Sequence, residues 1–118
     1  MKILITFITL YFISIAAYSS EEIPKNDISL SDVPEFLDNA RCIACHGMEE
    51  MRVGPPWNAI SALYSTKSEE QSVDYLSHKI RFGGGGVWGI TPMIKYKDIS
   101  TQQAETIARW ILNLQVEK

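Results

Sequence analysis

The stretch RCIACHGMEE (residues 41–50) sets Cys42 and Cys45 three positions apart and puts His46 directly behind the second. The chain has 2 cysteines among its 118 residues, so this pair has no other thiol to join. That length allows one domain. Several uses of such a pair compete. A structural zinc site needs four ligands. His78 is the one further histidine, and adjacent Cys45 and His46 do not readily reach one tetrahedral ion together. A thioredoxin-like dithiol belongs at a helix start in a βαβ setting, and no strand pattern of any length runs through this chain. A disulfide across two intervening residues closes a very small loop and stabilises little.

The compartment bears on the choice. Lys2 supplies a short positive start, residues 3–18 are almost wholly apolar, and small residues follow. This is the layout of a secretory signal peptide over residues 1–19, with Ala17 and Ser19 marking the cleavage site. Sixteen apolar residues are short for a membrane anchor, which usually needs ~20. Export leaves 99 residues in an oxidising compartment, where a free cysteine pair tends to oxidise. The formal net charge of −3 becomes −4 once Lys2 is lost. A mildly acidic chain argues against nucleic acid as a partner. A domain of this size folds around a modest core, and a group bound at its centre would help.

Residues 20–31 are polar, broken by Pro24, and read as a flexible lead-in. Asp32 with Glu35 fits a capping box, with Pro34 in the first turn of a short helix over 33–41. VGPPW (53–57) is a turn, and a short helix follows from Trp57 to Tyr64. Ser68 and Gln71 form another capping box before a third helix, in which Val73, Leu76 and Ile80 recur at helical spacing and Gly83 ends the run. Residues 83–99 show no period and carry five of the seven glycines. Ser100 and Gln103 open the last helix, with Ala104, Ile107, Ala108, Ile111 and Leu114 as its buried stripe. The fold class is all-α. Its long irregular loops are unusual in a compact domain, and easier to accept if they wrap a rigid body other than protein.

A further reading of Cys42-Ile43-Ala44-Cys45-His46 supplies that body. Cys-x-x-Cys-His is the signature of covalent c-type haem attachment. Two thiols three apart on a helical turn can reach the two vinyl groups on one edge of the macrocycle. The next residue then falls beneath the ring, where its imidazole can bind iron. A second axial ligand must come from the opposite face. Met48 and Met51 are too near His46 in sequence to swing round easily, and His78 reads as a solvated residue on the far side of its helix. Met93 remains, 47 residues beyond His46 and behind GGGGVWGITP (83–92). Methionine is more often core filler than ligand; the glycine run and the Pro92-Met93 step favour ligation here.

With these residues placed, the chain resembles the class I cytochromes c, in particular the small bacterial periplasmic type that donates electrons to nitrite reductases and terminal oxidases. The matching pieces are CIACHGMEEMRVGPPW (42–57), LSHKIRFGGGGVWGITPM (76–93) and DISTQQAETIARWILNLQ (98–115). The resemblance implies a cytochrome c domain over 32–118, with four to five helices and long loops wrapped around one haem c. It implies thioether links at Cys42 and Cys45, and axial ligands at His46 and Met93. It makes Pro55 the residue whose carbonyl accepts a hydrogen bond from the ligand imidazole. Trp88 matches a tryptophan whose indole N–H reaches a haem propionate, and Lys79 a basic residue in that neighbourhood. Ile107 and Trp110 resemble the face of the last helix that crosses the first. Relatives carry prolines after the ligand methionine, where this chain has Ile94-Lys95-Tyr96, and Arg41 stands in place of a small residue.

The expected function is a soluble periplasmic one-electron carrier and not an enzyme, because a His/Met-ligated iron has no open position. Its expected partners are redox proteins such as a nitrite reductase, a terminal oxidase, a bc1-type complex or a peroxidase, met transiently by a monomer. Lys79, Arg81, Lys95 and Lys97 flank the methionine loop while Glu49, Glu50, Glu69 and Glu70 lie elsewhere. That asymmetry suggests a charge dipole that orients docking. The rival class is a haem sensor or peroxidase-like protein in which Met93 is displaced.

Overall fold

The structure, a computed structural model of the chain, describes residues 30–114. The expected signal peptide and all but the end of the lead-in lie outside the described residues. A 3₁₀ turn at Leu30–Asp32 leads into α1 (Val33–Asn39). Asp32 stands at the N-cap, yet its side chain makes no capping bond to the helix. Its carboxylate instead accepts from Ser31 Oγ at 3.3 Å, so the expected capping box does not form. α1 also ends two residues before the expected boundary. Arg41 takes up a left-handed conformation with φ of 59°, which turns the chain into a 3₁₀ turn at Cys42–Ala44.

Three more helices complete the frame. α2 (Trp57–Tyr64) starts directly after Pro56, whose extended backbone (ψ 150°) forms the N-cap. α3 (Glu69–Phe82) starts where Ser68 Oγ accepts from the Gln71 N–H, which is one half of the expected box; the reciprocal bond from the Gln71 side chain does not form. α4 (Thr101–Leu112) carries a full reciprocal box between Ser100 and Gln103, which satisfies two otherwise orphan donors. The core gathers Val33, Phe36 and Leu37 from α1, Ile60 and Tyr64 from α2, Val73, Leu76 and Ile80 from α3, and Ala104, Ile107, Ala108 and Ile111 from α4. α4 therefore packs against each of the other three helices. Leu114, expected on the buried stripe, is half-buried, and its carbonyl accepts from Ser61 Oγ at 3.1 Å.

The described chain also contains two short strands, contrary to the reading of no strands. β1 (Gly84–Gly86) pairs antiparallel with β2 (Gly89–Met93), joining Gly84 to Met93 and Gly86 to Gly89. The strand signal in a sequence is alternation of large side chains. Here one partner is all glycine and both strands are largely exposed, so no alternation exists to read. At the base of this hairpin Gly83 has φ of +71°, and a Cβ there would sit 2.4 Å from the Met93 carbonyl oxygen. Only glycine combines that backbone with that approach. Among the described residues no helix is long and apolar enough to cross a membrane.

Candidate haem site

The loop between α1 and α2 folds back on itself and presents His46. The Gly54 N–H donates to Cys45 O at 2.8 Å and the Trp57 N–H to Gly47 O at 2.9 Å, tying both ends of the loop to the cysteine motif. Arg52 donates to Ile43 O and to Glu50 Oε1 at 2.5 Å each, bracing the same loop from outside. Within this frame His46 is buried, with its Nδ1 2.7 Å from Pro55 O. A carbonyl oxygen can only accept, so Nδ1 carries the proton and donates. That leaves the Nε2 lone pair free in the neutral ring, the form a metal binds. Burial pushes the His46 pKa down, opposed by the bond to Pro55, so the neutral ring is the favoured one.

Two neighbours lock the imidazole in orientation. Trp57 stacks on it with ring centroids 4.5 Å apart and an interplanar angle of 25°. Gly54 passes so close that a Cβ there would lie 2.6 Å from His46 Cε1. The turn at Gly54-Pro55 is legible in the sequence, whereas the stacking role of Trp57 is not. Its one signal was an aromatic residue directly after the two prolines.

His46 opens onto a cleft lined mostly by apolar side chains from all four helices and the hairpin, with an empty volume of about 1230 Å³ including its mouth. All seven singled-out residues, Cys42, Cys45, His46, Pro55, Lys79, Trp88 and Met93, line this one cleft. Met93 is half-buried at the end of β2. Trp88 sits in the hairpin turn, 41% exposed. Lys79 Nζ donates to Gly85 O at 3.3 Å and lies over the Tyr75 ring at 5.7 Å, so it also braces the hairpin over the cleft. The rejected candidates lie elsewhere: Met48 and Met51 are exposed on the loop, and the exposed His78 ring leans on Phe82 at 4.7 Å.

The two cysteines sit in different settings, Cys42 buried and Cys45 partly exposed, and no disulfide joins them. Burial pushes the Cys42 pKa up to about 11, so its protonated form is favoured. Tyr96 also lines the cleft; burial first, then the nearby Cys42 and Cys45, push its phenol above its ordinary range. Among the described residues no group of three or more His, Cys, Asp or Glu side chains is placed to hold a metal ion, so a protein-only zinc site has no ligand set there.

The sequence profile of the cytochrome c family matches residues 32–115. This chain belongs to the cytochrome c family. Cytochrome c-552 of Nitrosomonas europaea is 42% identical to it over 73 residues, which are 62% of this chain and 69% of that protein. Cytochrome c-552 of Hydrogenobacter thermophilus is 37% identical over 73 residues, 62% of this chain and 71% of that one. Cytochrome c-551 of Pseudomonas aeruginosa is 33% identical over 81 residues, 68% of this chain and 75% of that one. The crystal structure of wild-type Nitrosomonas europaea cytochrome c552 superposes with a TM-score of 0.64 at 38% identity, covering 70% of this chain and 99% of that one.

The cytochrome thus has the fold of the small monohaem bacterial members and binds covalent haem c. The residues present fit that group: two thiols, a neutral imidazole with a free nitrogen, and a large apolar cleft all meet at one place. Bound there, haem supplies a reversible one-electron change at iron, and the cytochrome is an electron-transfer protein.

Proposed function

We propose that this cytochrome is a periplasmic shuttle of single electrons, with its haem iron gripped by His46 and Met93 and its macrocycle linked through Cys42 and Cys45. One observation carries the reading: two thiols, an oriented imidazole and a thioether, spread over 52 positions of chain from residue 42 to 93, line one apolar cleft. Residues 1–19 direct export and are removed, residues 20–31 form the lead-in, and residues 32–118 form the carrier domain. Leu30 and Ser31 belong structurally to the turn that opens the domain.

The side chains divide the work. Pro55 holds the imidazole by its Nδ1 proton and so raises its basicity toward a metal. A Met93 thioether holding the iron would favour its reduced form relative to a second imidazole and would raise the potential. With His46 and Met93 both holding the iron, water and small molecules would be excluded from it, and the protein would carry electrons rather than catalyse a reaction. Trp88 and Lys79 would face the propionate edge, with the indole N–H and the ammonium as donors. Partners would dock briefly at the cleft mouth, where Val53, Val87, Trp88 and Ile94 are exposed.

The test is visible spectroscopy of the purified holoprotein with Met93→Ala beside it. The parent should show the weak methionine-to-ferric-iron band and no carbon monoxide adduct of the ferrous form at neutral pH. The variant should lose the band, bind carbon monoxide and fall in potential. A parent that binds carbon monoxide readily would instead support the sensor or peroxidase-like reading, with Met93 displaceable.

A further inference from the structure

We infer that the cytochrome has a second electron route, running from His46 through Trp57 and Trp110 to the outer face of α4. The inference rests on His46 holding the iron, as proposed above. Three aromatic rings make a continuous chain. The His46 and Trp57 centroids are 4.5 Å apart and stacked; Trp57 and Trp110 meet edge to face at 6.0 Å, 82° between planes. Both spacings lie in the range of direct aromatic contact. His46 and Trp57 are buried, while Trp110 is half-buried, so the chain runs from the cleft wall toward solvent.

The route is rigid where it must be. The Trp57 N–H is bonded to Gly47 O at 2.9 Å and the Asn58 N–H to Met48 O at 3.1 Å, so the start of α2 cannot slide along the loop that carries His46. Trp110 rides on α4, the helix that all the others pack against. It is also separate from the cleft mouth, because Trp57 lines the cleft and Trp110 does not. An electron moves fastest through atoms in van der Waals contact, and this is a contact chain of delocalised rings. In each passage one electron leaves the bound iron and reduces a one-electron acceptor, a metal complex or redox protein, at the α4 face. No bond forms or breaks, and no proton needs to move.

The experiment uses the haem-loaded protein in a His78→Gln background, which removes the exposed native histidine. A ruthenium polypyridine label is attached at Asn113→His, one turn beyond Trp110 on the helix end. A control label sits at Ile90→His, fully exposed on the hairpin. After the label is photo-oxidised, transient absorption follows oxidation of the haem. Trp110→Leu opens a gap in the contact chain and should slow transfer to the α4 label by about tenfold or more, leave the control label unchanged, and leave the visible spectrum and potential unchanged. Trp110→Phe keeps a ring and should restore most of the rate. Equal rates at the α4 label with and without the indole, an equal fall at both labels, or failure of phenylalanine to rescue would each overturn the route. A parent spectrum lacking histidine-ligated haem would overturn the ligation itself, which the rate comparison leaves intact.

Discussion

Gly54→Ala should damage this cytochrome although it adds one methyl group to a loop. The new Cβ would stand 2.6 Å from His46 Cε1 and 3.0 Å from each ring nitrogen. The imidazole is held by the stack on Trp57 and by the 2.7 Å bond to Pro55, so it cannot move aside freely. Overpacking of this kind costs about 1–3 kcal/mol. Tilting the ring also weakens the Pro55 bond, worth about 1 kcal/mol. Against that, alanine restricts the unfolded chain and returns about 0.4–1 kcal/mol. The balance is a loss of about 2 kcal/mol, or roughly 8–16 °C in Tm for a domain of this size. Thermal unfolding of the holoprotein, followed by far-ultraviolet circular dichroism and by haem absorption, measures it. The control is Gly85→Ala, where the nearest atom to a new Cβ is Pro92 Cα at 3.7 Å and the effect should be small. A Gly54→Ala protein with the parent's Tm and haem spectrum would refute the account of how His46 is held.

Three other variants, one of them double, probe other parts of the molecule. Arg41→Gly should stabilise, because Arg41 sits at φ of 59°, which costs a side chain about 1–2 kcal/mol; with about 0.4–1 kcal/mol lost to the freer unfolded chain, guanidinium titration should show a net gain near ~0.5–1 kcal/mol, and a loss would contradict the strain. Gly83→Ala combines a φ of +71° with a Cβ 2.4 Å from Met93 O, a backbone worth about 1–3 kcal/mol of strain, and should weaken the methionine-to-iron band as well as the fold. Charge reversal at Lys95 and Lys97 should slow electron transfer to a redox partner at low ionic strength, with the difference shrinking as salt is added; a rate that ignores both the mutations and the salt would remove the docking dipole.

Much of the frame is legible in the sequence. The expected span of α2 matches the structure to the residue, because Pro56 and the following run define its start. The N-cap bonds at Ser68 and Ser100 are legible in the sequence, since a cap is a local hydrogen bond between neighbours three apart, although at Ser68 only the hydroxyl half of the expected box forms. The Asp32 box failed for the opposite reason: the same residue spacing was present, but the carboxylate found Ser31 instead. The glycine hairpin escaped notice because its pairing is made by backbone alone.

What residues 42–46 determined by themselves was the chemistry, because two thiols and an imidazole within five positions hold the same relative places wherever the chain goes. The helices of a domain near this size followed from period and caps, which are likewise short-range. The tertiary structure alone decided that Trp57 stacks on His46, that Gly54 must lack a side chain, and that Trp110 continues the ring chain outward. It alone brought Met93 and His46 to one cleft. Those facts depend on how distant segments pack against one another, and packing contacts of that range leave no periodic trace in the order of residues.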